Sequence, residues 1–385
     1  MSAGPAETTP AGAPIAHHAA ARGCPPVSVR ARIRRGAGAG LLSLFAAACT
    51  SVNPYHDPAS PHRGPEGFRN NYPTQREGGY WRWQWERWRD GHPRPPANGY
   101  RFPMADPEVA FLRANRSVTA VTWIGHATVL LQVGGLNILT DPHFGPRASP
   151  FSFAGPLRLT PPGMTIGQLP RIDAVVLSHN HYDHLDAESV ARLAAQPGGP
   201  PRFLVPLGMK SWFDAQGIAS VTELDWWESR ELSGVRVHCV PVQHWSQRTL
   251  ADRNQALWGG WVIEHGAQRL FFSGDTGYSQ DFRDIARRFG AFDFAAIPIG
   301  AYEPRWFMAP FHVNPAEAVQ IHLDLDARHS LGIHWGSFEL TDEPLDEPPV
   351  VLRQELARRG VPPERFFVLR HGETWRLPAG PAPAR

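Results

Sequence analysis

The sequence predicts an α/β protein built in layers, and two observations carry that expectation. From about residue 118 the chain runs as short apolar segments punctuated by Gly, Pro and Asp: AVTWIGHATVLLQV, NILTDP, IDAVVLSH, RVHCVPVQH, RLFFSGDTG, FAAIPIG and HSLGIHW. Segments of this length bounded by turn formers read as strands. Helix-like stretches fall between them, at roughly 187–196, 280–289, 314–323 and 350–359, and strands interleaved with helices make an α/β architecture. With 385 residues and 42% hydrophobic content, the chain can bury a sizeable core in one large domain or two small ones.

The first 49 residues read as a leader. Residues 1–28 are rich in Ala, Pro and Gly, the basic stretch RARIRR follows, and then come the apolar run GAGAGLLSLFAAA and Cys49. This is the order of an export signal. Ala46, Ala47 and Ala48 before Cys49, with the polar TSVNP after it, fit a bacterial lipoprotein cleavage box. The expectation is a signal peptide, a mature chain lipidated at Cys49 and a place at a membrane of the cell envelope. A low-complexity leader on a cytoplasmic protein is the alternative. The apolar run itself is too short to span a bilayer comfortably.

Residues 50–117 form an extension rich in Pro, Arg and aromatics, expected to pack on the core. Within its run YWRWQWERWRDG, Trp81, Trp85 and Trp88 share one helical face and Arg82, Arg87 and Arg89 lie outside that stripe. The stripe either docks the extension onto the main domain or forms an interfacial belt at lipid headgroup level. Residues 118–377 are expected to form the main α/β domain, and 378–385 read as a disordered tail.

Composition narrows the chemistry. The formal charge of +2 is spread without a long basic run, so nucleic acid is not the expected partner. Cys24, Cys49 and Cys239 are too few and too scattered for a disulfide framework or a thiolate zinc site. A metal would therefore sit on histidine and carboxylate.

Those residue types gather where strands end. HNHYDH at 179–184 follows the apolar run AVVLS, so His179, His181, Asp183 and His184 converge in one tight turn without a long loop closure. Imidazole and carboxylate together suit zinc, and two neighbouring centres leave each metal an open position. Further partners follow later strands: His244 after RVHCVPVQ, Asp275 after RLFFSG and His334 after SLGI. His238, His265, His322, His329 and His371 are read as structural, as are His126 and His143. Asp141, in the LTDP turn, is read as orienting a ligand histidine.

These motifs resemble the metallo-β-lactamase superfamily, whose HxHxDH signature is HNHYDH here. Within it, the chain is similar to the N-acyl-phosphatidylethanolamine-hydrolysing phospholipase D family and its bacterial relatives. The resemblance runs over about residues 68–377 and rests also on WIGHATVLL, LTDPHFGPRASP, QHW, SGDTGY, PIGAYEPRWFM, HVNPAEAV and GIHWGSF. It implies an αββα sandwich with two zinc ions at the edge of its two sheets. His179, His181 and His244 would hold one ion and Asp183, His184 and His334 the other, with Asp275 bridging. It implies hydrolysis of a phosphodiester, (N-acyl-)phosphatidylethanolamine, by a metal-bridging hydroxide. Asp183 and His312 would be catalytic, and Tyr182 and His312 would contact the phosphate end of the substrate. Ser246 after QHW, and Asn314 where better-known members carry an acid, depart from the pattern and bear on the lipid tail rather than on the ligands. Partners would be a phospholipid, a membrane surface and a second copy of the chain. A lactonase or small phosphodiesterase on the same metals, and a noncatalytic zinc-binding envelope lipoprotein, are the alternative functions.

Overall fold

The computed structural model describes residues 53–74, 77–91 and 95–378. The leader with its Cys49 expectation, and the tail beyond Pro378, lie outside the described residues. No described helix is long and apolar enough to cross a membrane.

The extension contributes a small hairpin, β1 (Arg63–Gly64) and β2 (Gly67–Phe68), then helices α1 (Tyr80–Asp90) and α2 (Val109–Ala114). Next come β3 (Ala120–Gly125), β4 (Thr128–Val133), β5 (Leu136–Thr140), β6 (Ala174–Val176), helix α3 (Ala187–Ala194), β7 (Arg202–Pro206), α4 (Lys210–Ala215) and β8 (Val221–Leu224). The second half runs β9 (Ser229–Leu232), β10 (Val235–Val240), β11 (Gly260–His265), β12 (Gln268–Phe272), α5 (Asp281–Phe289), β13 (Phe294–Pro298) and α6 (Arg305–Met308). It closes with α7 (Pro315–Asp324), β14 (His329–Ile333), α8 (Pro348–Arg359), β15 (Phe366–Phe367) and β16 (Thr374–Arg376).

The strands form two seven-stranded mixed sheets, ordered β16-β3-β4-β5-β6-β7-β8 and β15-β14-β13-β12-β11-β10-β9. Side-chain alternation explains the layering. In β4, Val129, Leu131 and Val133 join the core shared with the second sheet, while Leu130 faces the other way, into the cluster with Val190 and Leu193 of α3 and Phe213 of α4. In β6, Ala174 and Val176 likewise face inward and Val175 outward. Phe282 and Ile285 of α5, Ile321 of α7 and Leu352 of α8 extend the shared core beyond the second sheet. The result is the α/β layered sandwich of the metallo-β-lactamase fold.

Two expectations about local structure are corrected. AVTWIGHATVLLQV is a hairpin and not a single strand: Gly125 and His126 take positive φ (139° and 53°) and reverse the chain between β3 and β4. The tryptophan stripe of α1 does not dock. Trp81 and Trp88 are 81% and 82% exposed and Trp85 is exposed too, whereas Trp83 on the opposite face is buried. Trp83 stacks on Phe307 at 5.1 Å and donates its indole N–H to Asp342 Oδ2 at 2.7 Å, so one residue between the stripe positions makes the contact.

Both departures from the family pattern have structural roles. Asn314 is the N-cap of α7, accepting from Glu317 N in a capping box. The buried Ser246 hydroxyl donates to Ala256 O at 2.5 Å and ties down the 246–256 loop.

Candidate metal centre

Strand direction assembles the centre. β5, β6 and β7 are parallel, as are β12, β13 and β14, and β10 runs with β12 because β11 is antiparallel to both. The C-terminal ends of β5, β6, β10, β12 and β14 therefore lead to Asp141, the 179–184 turn, His244, Asp275 and His334. Gly274 (φ 60°) is required between β12 and Asp275, because a Cβ there would collide with Ser178, which follows β6 of the facing sheet.

The ligand-type atoms fall into two groups joined by a carboxylate. His179 Nε2 is 2.8 Å from His181 Nδ1, which is 3.3 Å from His244 Nε2. In the second group, Asp183 Oδ2 is 3.3 Å from both His184 Nε2 and His334 Nε2, and these nitrogens are 3.2 Å apart. Asp275 lies between the groups: its Oδ2 is 3.1 Å from His184 Nε2 and 4.0 Å from His244 Nε2, and its Oδ1 is 3.1 Å from His334 Nε2. Metal–nitrogen bonds of about 2.05 Å at a tetrahedral ion place ligands about 3.3 Å apart. Most of the spacings, at 3.1–3.3 Å, match that edge, with His179–His181 shorter at 2.8 Å and His244–Asp275 longer at 4.0 Å, and the donor set of imidazole and carboxylate suits a divalent cation such as zinc.

The ligand-type side chains are oriented from behind. His184 Nδ1 lies 2.7 Å from Asp141 Oδ2, and that oxygen also accepts the Ser178 hydroxyl, whose oxygen is 2.8 Å from His179 Nδ1. His244 Nδ1 donates to Phe311 O at 3.0 Å, leaving Nε2 to face the cluster. His126, Asp141 and His334 all hold positive φ without being glycine (53°, 32° and 61°). Such conformations cost on the order of 1–3 kcal/mol each and persist where surrounding structure imposes them.

Charge balance has the same origin. Burial works to raise the Asp183 and Asp275 carboxyls, but His184 and the hydrogen bonds around them outweigh it and hold both well below the usual range. Burial likewise works against a charged His334, yet Asp275 and Asp183 push it up to about 9, and His184 is raised well above its ordinary value. His181 and His244, where burial dominates, fall to about 3. Two carboxylates facing a cluster of imidazoles make a donor set that suits a divalent ion.

All seven ligand candidates are brought together. His312 stands at the edge of the cluster, its Nδ1 3.8 Å from Asp275 Oδ2, and burial lowers it to about 3. Tyr182 lines the adjoining cavity, but its hydroxyl donates to Arg248 O at 2.9 Å and the Arg248 guanidinium covers its ring at 4.0 Å. His126, read as merely structural, belongs to the site: its Nε2 is 3.0 Å from Asp183 Oδ2, and its carbonyl accepts His334 N. Its place on a turn, hidden by the single-strand reading, was the missing signal. His143 pairs instead with Arg158, His238 with Glu264 and His322 with Ser330.

This arrangement defines a metallohydrolase of the β-lactamase superfamily, and residues 136–335 match the β-lactamase superfamily domain. The chain belongs to that family. It is 45% identical over 266 residues to N-acyl-phosphatidylethanolamine-hydrolyzing phospholipase D 1 of Caenorhabditis elegans, covering 66% of this chain and 74% of that protein. It is 38% identical over 260 residues to the mitochondrial N-acyl-phosphatidylethanolamine-hydrolyzing phospholipase D of Saccharomyces cerevisiae, covering 66% of this chain and 55% of that one. Among solved structures, an isothiocyanate hydrolase from Delia radicum gut bacteria shares the fold, with a TM-score of 0.54 at 20% identity, over 66% of this chain and 98% of that one.

Proposed function

We propose that this chain is a binuclear zinc phosphodiesterase of phospholipase D type acting on phosphatidylethanolamine or its N-acylated form. The observation that carries the reading is the cavity onto which the cluster opens. It holds about 590 Å³ and combines His181, Asp183, Asp275 and His312 with an apolar wall of Trp83, Trp245, Phe307, Met308 and Leu340. A polar metal end beside an aromatic wall suits a molecule with a phosphodiester head and an acyl tail. The names of the relatives above point to the same substrate class. The exposed stripe of Trp81, Trp85 and Trp88 begins beside Tyr80, which lines the same cavity, and indoles in that position suit a lipid surface.

Two divalent zinc ions at this site would supply Lewis acidity and a more acidic water. His179, His181 and His244 would hold one ion, Asp183, His184 and His334 the other, and Asp275 both. The chain does the rest. Trp83, Phe307 and Met308 exclude bulk water from the inner wall. His312, kept neutral by burial, presents an N–H toward the substrate's phosphate or leaving oxygen; its backbone is held by Arg305, which donates to His312 O at 2.8 Å and to Glu317 Oε2 at 2.7 Å. The order of basic stretch, apolar run and Cys49 supports a lipid anchor, tested by fatty-acid labelling of the wild type against Cys49→Ser.

The decisive experiment presents zinc-loaded protein with a phospholipid panel and scores phosphatidic acid and free ethanolamide by mass spectrometry, alongside elemental analysis. About two zinc ions per chain are expected, with phosphatidic acid released and activity abolished in His181→Ala and Asp275→Ala. Absence of metal, or full activity in both variants, refutes the proposal.

A further inference from the structure

The cavity mouth carries a cation whose donors are unspent. Arg253 lines the same cavity as His181, Asp275 and His312. Among the described residues its guanidinium has no hydrogen-bond or ion-pair partner, and no carboxylate offsets the lowering of its pKa by partial burial. Its neighbours are committed: Arg248 donates to Asn180 O and Leu185 O, and Arg305 to His312 O and Glu317. What holds Arg253 is the face of Trp245, 4.4 Å from the guanidinium carbon, and the Trp245 ring lies 4.3 Å from that of His181.

Stacking engages only the face of a guanidinium. Its N–H groups lie in the plane and stay free to donate, in a fork that matches two oxygens of a phosphate. Trp245 therefore links this fork to a metal-ligand candidate through a single aromatic ring.

We propose that Arg253 is a second oxyanion-binding residue of the site beside His312, taking phosphoryl oxygens that the metals do not. This rests on the phosphodiesterase reading and deepens it: the site selects an anionic phosphodiester over a neutral ester or lactone, which offers Arg253 no charge. Arg253 is a specificity residue, not a metal ligand, and it is exposed enough for substitution to spare the fold.

The test is calorimetric titration of the zinc-loaded protein with inorganic phosphate, comparing wild type, Arg253→Gln and Arg253→Lys, with zinc content measured in each. Arg253→Gln should bind phosphate roughly tenfold or more weakly, as expected for a lost charged hydrogen bond, at unchanged zinc content. Arg253→Lys should recover part of the loss, since an ammonium keeps the charge without the fork. In turnover of a phosphodiester, Arg253→Gln should raise KM more than it lowers kcat. Phosphate affinity within twofold of wild type in Arg253→Gln overturns the assignment. If phosphate binding depends on Arg253 but no phosphodiester is hydrolysed, the oxyanion site stands and the phosphodiesterase reading falls. If phosphodiesters are hydrolysed with KM unchanged in Arg253→Gln, the reading stands and the role of Arg253 falls.

Discussion

Asp141 Oδ2 lies 2.7 Å from Nδ1 of His184, with both side chains fully buried. Because the same oxygen also accepts the Ser178 hydroxyl, which contacts His179, one carboxylate orients an imidazole in each of the two ligand groups. Asp141→Asn keeps the shape and removes the charge that favours an Nδ1–H tautomer at His184. Metal affinity should fall roughly 10–100-fold, the usual effect of losing such a partner. Competition with a chromophoric chelator measures it, and an unchanged affinity would show that the contact has no hold on the metal.

His312 approaches Asp275 Oδ2 to 3.8 Å but stands outside the seven ligand candidates. His312→Ala should therefore lower turnover by roughly 10²-fold or more while leaving zinc content close to wild type. Parallel loss of zinc and activity would make His312 a ligand.

The two faces of α1 should respond oppositely. Trp83→Ala removes a buried ring stacked on Phe307 and a hydrogen bond to Asp342, and should cost about 3–5 kcal/mol of stability. Replacing Trp81, Trp85 and Trp88 together by Ala should leave stability nearly unchanged, since exposed substitutions usually stay within about 0.5 kcal/mol each. The triple variant should lose sedimentation with phosphatidylethanolamine-containing vesicles. Retained vesicle binding would remove the stripe from the lipid-surface reading.

His371 offers a test by pH away from the ligands. Burial, with Arg158 adding to it, lowers this histidine to about 3, and its ring packs 4.2 Å from that of Trp123. A histidine with a depressed folded pKa is neutral in the native state, so the stabilisation is complete above the unfolded value of about 6.5 and is lost as pH falls toward about 3. The loss approaches about 1.4 kcal/mol per pH unit in that window. In chelator-treated protein, where metal release cannot contribute, His371→Asn should be less stable than wild type near neutrality but show a shallower decline on acidification. Parallel acid slopes in urea denaturation would contradict this origin.

Much of the site was legible because its signals are local. HNHYDH places four ligand-type residues in one turn, and His244, Asp275 and His334 each follow an apolar strand within a few residues. Helix-like stretches were likewise legible near α3, α5, α7 and α8, because a helix bonds within its own segment. Strands that lack a strong apolar signature, such as the polar β9, found their partners only through distant pairing.

The sequence by itself determined which residue types could bind metal, their order along the chain and the layered α/β class, all set by composition, spacing and short-range pattern. Only the tertiary structure decided that His126 reaches Asp183, that Trp83 rather than the Trp81–Trp88 stripe is buried, and that Arg253 stacks on Trp245 at the cavity mouth. Each of these depends on segments far apart in sequence: His126 and Asp183 are 57 residues apart, and Trp83 and Asp342 are 259 apart. Local periodicity can define a face of a helix or an end of a strand. What that face or end meets is set by the packing of the whole sandwich.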